Sequence, residues 1–337
     1  MDRALLTRSL EEWGAPKYRA KQALEALAHG ADSWEDVATW PRDLRSKANA
    51  EIPFWEGDVA DRADSTDGTV KWGLRAGDGA YFEAVLIAHE RGRRTLCVSS
   101  QAGCSLACTF CATGMGGPGR DLTSAEIVDQ AHRARREAHA QGARLTNVVF
   151  MGMGEPMQNL DAVFDACEEM HNPEGLGISA RRIAISTVGW VPGIARLADF
   201  HLPVRLAVSL HAADDETRSE LMPINARWPI ANLIAACRRY CDQTGKRVFI
   251  EYLMLDGVND SRADAERLAS VLRDGRFHVN LIEYNLTAGP YRSSPSQRRM
   301  AFAEQLTALG VGVTIRRSRG ADIAAACGQL AGSAASS

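Results

Sequence analysis

The chain has 337 residues, 24% of them charged, with 39 Lys and Arg against 42 Asp and Glu and a formal net charge of −3 at pH 7. That balance excludes a globally basic nucleic-acid binder, so any RNA contact has to come from local basic patches such as Lys17, Arg19 and Lys21, Arg298 and Arg299, or Arg316, Arg317 and Arg319. No apolar run reaches the roughly 18 residues of a membrane span, and the N-terminus lacks a long apolar signal core. The expectation is a cytoplasmic protein with no membrane partner, read by default as a monomer. Eight cysteines suit a reducing compartment rather than a disulfide framework.

Residues 1–55 read as a small helical domain. Apolar residues recur at helical spacing over 17–28, and a second helical stretch covers 35–49. Lys17, Arg19 and Lys21 make this domain a candidate RNA-docking element. Two strand-like runs, 69–74 and 81–87, flank Gly77-Asp78-Gly79, which is hairpin chemistry, so 56–94 is expected to form a β-hairpin extension.

From Thr95 the pattern changes to strands over 95–100, 147–151, 182–187, 204–209, 248–254 and 279–283. Helical stretches fall between them, including 124–141, 159–171, 230–243 and 261–273, and a last one over 296–309 leads into a short strand at 311–316. Such alternation implies a parallel sheet with right-handed crossovers. Six units are too few for a closed eight-stranded barrel, so the expected fold is α/β, a partial, open (β/α)6 barrel over 95–320. Residues 321–337 are expected to form a C-terminal segment with a flexible tail.

Directly after the first of these strands stands Gly-Cys-Ser-Leu-Ala-Cys-Thr-Phe-Cys-Ala-Thr-Gly, with cysteines at 104, 108 and 111. Thiolates normally hold every iron of a cubane iron–sulfur cluster. Three close thiolates, Cys104, Cys108 and Cys111, can hold three irons and leave the fourth open to an outside ligand, which makes a reaction centre. Zinc is the competing reading, but it usually takes four ligands in paired short spacings, and no second pair lies nearby.

In an open α/β sheet ligands bind beyond the C-terminal ends of the strands. Polar and glycine residues recur at that end here: Gly152, Gly154 and Glu155 after the second strand, Ser186 in the third, Ser209-Leu210-His211 after the fourth, and Asn285 after the sixth. The glycines permit close backbone approach, Glu155 can accept from a ligand ammonium, and Ser186, Ser209 and Asn285 can bind carboxylate or hydroxyl groups. Each polar residue could instead be a helix cap.

The C-x3-C-x-aromatic-C loop, with Phe110 before the third cysteine, resembles that of radical S-adenosylmethionine (SAM) enzymes. Cys97 in Thr-Leu-Cys-Val-Ser-Ser-Gln-Ala-Gly-Cys, Gly-Met-Gly-Glu-Pro, Ser-Leu-His-Ala, Pro-Lys-Tyr-Arg-Ala-Lys-Gln and the terminal Ala-Ala-Cys-Gly-Gln-Leu around Cys327 narrow this. Together they resemble the RlmN/Cfr family of radical-SAM RNA methyltransferases, from about Pro16 to Gly332.

The resemblance implies a [4Fe-4S] cluster on Cys104, Cys108 and Cys111, with SAM bound by Gly154, Glu155, Ser186, Ser209, Leu210, His211 and Asn285. It implies two SAM per turnover, Cys327 as the methyl carrier, Cys97 as the resolving thiol that forms a transient disulfide with it, and Glu83 as proton acceptor. The implied substrate is adenosine C2 in 23S rRNA and beside the anticodon in tRNA, with an electron donor such as flavodoxin. A Cfr-type C8 methyltransferase shares the same cysteines and remains open. So does a radical-SAM enzyme acting on a small molecule or peptide, which would not need Cys97 and Cys327. A redox- or iron-sensing binding protein is the non-enzymatic alternative.

Overall fold

The structure, a computed structural model, describes residues 1–273 and 275–331; the tail expected over 332–337 lies outside the described residues. Helices α1 (Arg3–Glu12), α2 (Tyr18–Ala28) and α3 (Arg42–Glu51) close around a core of their own that includes Leu6, Leu10, Leu24, Leu27, Trp34 and Trp40. Trp34 stacks on Trp40 with ring centroids 5.3 Å apart. The helix expected from residue 35 starts later, because Ser33 and Asp36 close a capped single turn and Pro41 precedes α3.

All ten strands join one sheet in chain order, β1 (Gly57–Asp64), β2 (Val70–Ala76), β3 (Tyr81–Ala88), β4 (Arg93–Cys97), β5 (Arg144–Phe150), β6 (Ile183–Thr187), β7 (Arg205–Ser209), β8 (Val248–Met254), β9 (Phe277–Glu283) and β10 (Gly312–Arg316). Pairing is antiparallel from β1 to β4 and parallel from β4 to β10. Helices α4 (Ala112–Gly116) through α11 (Ser296–Ala308) supply the six crossovers of the parallel part, so the partial-barrel expectation holds. One strand was not legible: β1, Gly-Asp-Val-Ala-Asp-Arg-Ala-Asp, is exposed along nearly its whole length and shows no apolar alternation.

The sheet is open, with β1 and β10 at its edges. After β10 the chain runs back across the concave side to the β1–β2 turn. Gly320 N donates to Asp67 at 3.1 Å, and Asp322 accepts from Ser65 Oγ at 2.6 Å. Lys71 Nζ reaches Ala324 O at 3.3 Å, and Ala331 N reaches the Glu83 carboxylate at 2.9 Å. A segment with little regular structure of its own is thus strapped between the two ends of the sheet, and Cys327 lies on it.

Candidate active site

The cysteine loop is held by its backbone. Cys104 N donates to Gly117 O at 2.9 Å, Thr109 N to Leu221 O at 3.0 Å and Cys111 N to Cys108 O at 3.1 Å. Phe110 packs edge-on against His211, with centroids 4.9 Å apart. These contacts turn Cys104, Cys108 and Cys111 into one cleft at the C-terminal ends of the strands, shared with Glu155, Ser186, Ser209 and His211. Burial pushes the Cys104 thiol up to about 11 and Cys108 well above its usual value, so an uncoordinated thiol here stays protonated. Among the described residues no three His, Cys, Asp or Glu side chains converge as a single metal ion needs. Three thiols on one loop in one cleft suit a cluster that offers each a separate iron better than a tetrahedral zinc ion, which usually takes four protein ligands.

Glu155 is almost fully buried. Its two oxygens accept from Met157 N at 3.0 Å and Val188 N at 2.9 Å. Desolvation outweighs those bonds and lifts the carboxyl to about 7. The Thr187 side chain adds a third bond, and the carboxylate keeps accepting capacity for a ligand. His211, at φ 58°, accepts from Leu253 N through Nδ1 at 3.0 Å, and burial lowers it to about 3, so the ring is neutral with its remaining proton on Nε2.

Gly154 lines the cleft with φ 95°. A Cβ there would stand 2.5 Å from the Gln101 side chain, so the missing side chain serves protein packing. Leu210 lies behind the cleft, fully buried, its N–H on Glu251 O and its C=O taking Ala212 N. Asn285 faces the neighbouring chamber and donates to Cys327 O at 3.3 Å.

Cys327 sits in the partition between two cavities. It lines the cleft, and with Cys97 it lines a second chamber inside the barrel. Its exposed surface faces these cavities, and the protein around them still raises its thiol to about 11, chiefly by desolvation. The cluster loop holds the Cys327 segment directly: Ala112 N donates to Gly328 O at 2.8 Å and Thr113 Oγ1 to Leu330 O at 2.6 Å. Cys97 is buried, and desolvation raises its thiol strongly. Glu83 lines neither cavity. Register pairs Val85 with Cys97, which puts Glu83 two residues along on the same sheet face, where Lys71 Nζ at 3.2 Å and Ala331 N hold its carboxylate.

A family model, the Radical SAM superfamily, matches residues 98–269. A crystal structure of a radical SAM methyltransferase from Sphaerobacter thermophilus superimposes with a TM-score of 0.94 at 45% identity, covering 99% of this chain and 98% of that one. A probable dual-specificity RNA methyltransferase RlmN from Chloroflexus aurantiacus is 46% identical over 97% of this chain and 90% of its own length. One from Moorella thermoacetica is 46% identical over 97% and 96%. The chain belongs to the RlmN family of radical SAM methyltransferases. The family's cofactors are a [4Fe-4S] cluster and SAM, and the three-thiol cleft has the donor set for the first.

Three residues of this RlmN-family site escape a reading of the sequence. Arg218 is fully buried behind the cleft, where it donates to Val188 O at 2.6 Å, Leu210 O at 3.2 Å and Asn225 Oδ1 at 2.7 Å, and desolvation lowers it to about 10. Its guanidinium stitches the ends of β6 and β7 together. Glu251, 2% exposed, lines both cavities. Its Oε1 accepts from Asn280 at 2.8 Å and meets Arg316 at 3.4 Å, while Oε2 has no hydrogen-bond partner. A lone acid inside Val-Phe-Ile-Glu-Tyr-Leu-Met was the available signal, since burying a charge is costly. Lys71 had none.

Proposed function

We propose that this chain methylates C2 of adenosine in 23S rRNA and in tRNA beside the anticodon, using Cys327 as the methyl carrier. The observation that carries this reading is that Cys327, alone among the cysteines of the described residues, lines both the cofactor cleft and the chamber that contains Cys97. One sulfur can therefore face a methyl donor on one side and a base on the other.

In this scheme Cys104, Cys108 and Cys111 hold the cluster, and Glu155, Ser186, Ser209, His211 and the Gly154 backbone bind SAM. When bound, the cluster and SAM supply a methyl group and, from a second SAM, a 5′-deoxyadenosyl radical able to take hydrogen from a methyl carbon. Cys327 gives up its thiol proton and its sulfur accepts the first methyl. It then presents that carbon to adenine, whose C2 is too electron-poor for ordinary methyl transfer. Glu83 accepts the proton that leaves C2. Cys97 gives up its thiol proton and, as thiolate, attacks the Cys327 sulfur; the sulfur–carbon bond breaks, and the released methylene carbon takes up a proton to become the methyl group. The single electron left over from the addition would be returned to the cluster that the three cysteines hold, and the disulfide formed is later reduced. Lys71 and the Ala331 amide fix the Glu83 carboxylate beside this segment. Leu210 and Asn285 support the site from behind through their backbone and Cys327 contacts.

The test is anaerobic turnover of cluster-loaded protein with methyl-trideuterated SAM, a reductant and unmodified rRNA or tRNA fragments, followed by nucleoside mass analysis. The expected product is 2-methyladenosine retaining two deuteriums. Retention of all three would sink the cysteine relay, and 8-methyladenosine would move the activity to C8.

A further inference from the structure

The chamber beneath Cys327 has a distinct chemistry. Each parallel strand from β4 to β9 starts at an arginine or directly after one: Arg93, Arg144, Arg182, Arg205, Arg247 and Arg276. They mark the edge of the barrel opposite the cofactor cleft. Of these, Arg182 and Arg205 line the chamber, about 1630 Å³ of empty space including its mouth, together with Arg181 and with Arg316, Arg317 and Arg319 from the end of β10 and beyond, against a single carboxylate, Glu251.

Some arginines elsewhere in this chain find acids, as Arg62, Arg120, Arg133 and Arg298 do. Arg181, Arg182, Arg205, Arg317 and Arg319 have no carboxylate partner among the described residues. The uncompensated field acts on its neighbours. His89, in the chamber wall, is harder to protonate because of desolvation first and then Arg93, Arg319, Arg94 and Arg316. A positive mouth on a chain of net charge −3 is a local polyanion site.

We infer that single-stranded RNA enters here, its phosphates on the arginine rim and its target base reaching Cys327 from the face opposite SAM. This rests on the RNA-methylating function proposed above. It explains why the carrier thiol lies in the partition. A duplex cannot present a base through such a mouth, whereas a loop can splay one nucleotide into it. Arg205, stacked over Phe249 with 5.6 Å between guanidinium and ring centroid, joins charge to an aromatic face, a pairing suited to an unstacked nucleotide.

The test uses cluster-loaded full-length protein and a fluorescent RNA stem-loop with adenosine in the loop, its affinity measured across a salt series. Replacing Arg181, Arg205 and Arg317 together by Glu should weaken binding by roughly a hundredfold and flatten the log–log salt dependence by about two to three units, near one per lost phosphate contact. Methylation of Cys327 by SAM without RNA, read as a mass gain on its peptide, should be unchanged; this also reports a folded protein. The corresponding Gln triple variant guards against effects of the added acids and should flatten the slope as well.

Unchanged affinity and slope in both variants would overturn the inference. So would transfer of the lost slope to a variant reversed at Lys17, Arg19 and Lys21, which would put the RNA on the helical domain instead. Wild-type turnover is measured alongside. Methylated adenosine with an unaltered salt slope sinks only this entrance, whereas absence of any methylated adenosine sinks the proposed function whatever the slope.

Discussion

The cleft above Cys327 and the chamber below it share Met151, Glu251, Ile282, Cys327 and Gly328 in their walls, yet they are made of different material. The cleft takes its lining from strand ends and the loops behind them: three thiols, a neutral histidine, and a carboxylate already gripped by backbone amides. The chamber takes its lining from the inward-facing residues along β4 to β9 and from the returning segment, with arginines that have no acidic partner among the described residues. A largely apolar cleft with a few fixed polar groups suits a small cofactor of fixed shape. A charged, open mouth suits a long flexible polyanion. The difference gives each cavity one half of the proposed reaction, methyl loading on the cleft side and transfer to RNA on the chamber side.

The largest expected effects come from variants that break this division. Cys108→Ala should abolish iron–sulfur absorbance and both half-reactions. Cys327→Ala should keep the absorbance and lose both the enzyme-bound methyl and the RNA product. Cys97→Ala should load the methyl normally and then accumulate protein joined to RNA through Cys327, seen as a shifted band on a denaturing gel. If Cys97→Ala instead blocked loading, the two cavities would not be separate stations.

Glu83→Gln comes next. It keeps an acceptor for Ala331 N but cannot take a proton, so RNA methylation should fall on the order of 10²–10⁴-fold while RNA-free loading of Cys327 is unaffected. Equal losses in both half-reactions would show a structural role at the sheet edge rather than a proton acceptor.

How much of this could be read in advance differs between the cavities for a physical reason. The cluster loop lies within eight consecutive residues, so its spacing alone carried the chemistry, and the residues at the ends of β5, β6 and β7 followed from strand–helix alternation. The chamber is assembled from distant parts. The contact of Glu83 with Ala331 spans 248 residues, and nothing local in Val-Lys-Trp-Gly marks Lys71 as its partner. The arginines of the lining come from two places, Arg181, Arg182 and Arg205 at the starts of β6 and β7 and Arg316, Arg317 and Arg319 at and beyond the end of β10, and only the folded chain brings them to one cavity. Of the basic patches visible in the sequence, Arg316, Arg317 and Arg319 line the chamber, whereas Arg298 is neutralised by Asp256 and Asp260.

A smaller effect tests the cleft side through pH. Glu155 stands at about 7 in the folded protein against an ordinary 4.5. Between those values the native state holds a proton that the unfolded chain has released, so stability of the cluster-free protein should fall as pH rises from about 4.5 to about 7 and then level off. The expected drop is on the order of 2–3 kcal/mol by chemical denaturation. Glu155→Gln should flatten that slope, and an unaltered slope would mean that another group sets it.

The smallest effect sharpens the chamber side. Lys71 touches both Glu83 and the carbonyl of Ala324, so its ammonium couples the proposed proton acceptor to the strap that carries Cys327. Lys71→Met keeps the aliphatic stem and removes the charge. Glu83 is buried and its Oε1 meets Lys71 while Ala331 N holds only Oε2, so the variant should lose some stability, which a denaturation curve reads separately from activity. What should change is alignment: RNA methylation falls about tenfold in kcat, the size expected from losing one positioning contact, with KM for RNA nearly constant. Loading of Cys327 by SAM reads the strap from its other face and should shift by less than about twofold. A rise in KM with kcat preserved would instead assign Lys71 to the phosphate-binding rim. It would then belong with Arg205 and Arg317 as a contributor of charge rather than a holder of Glu83.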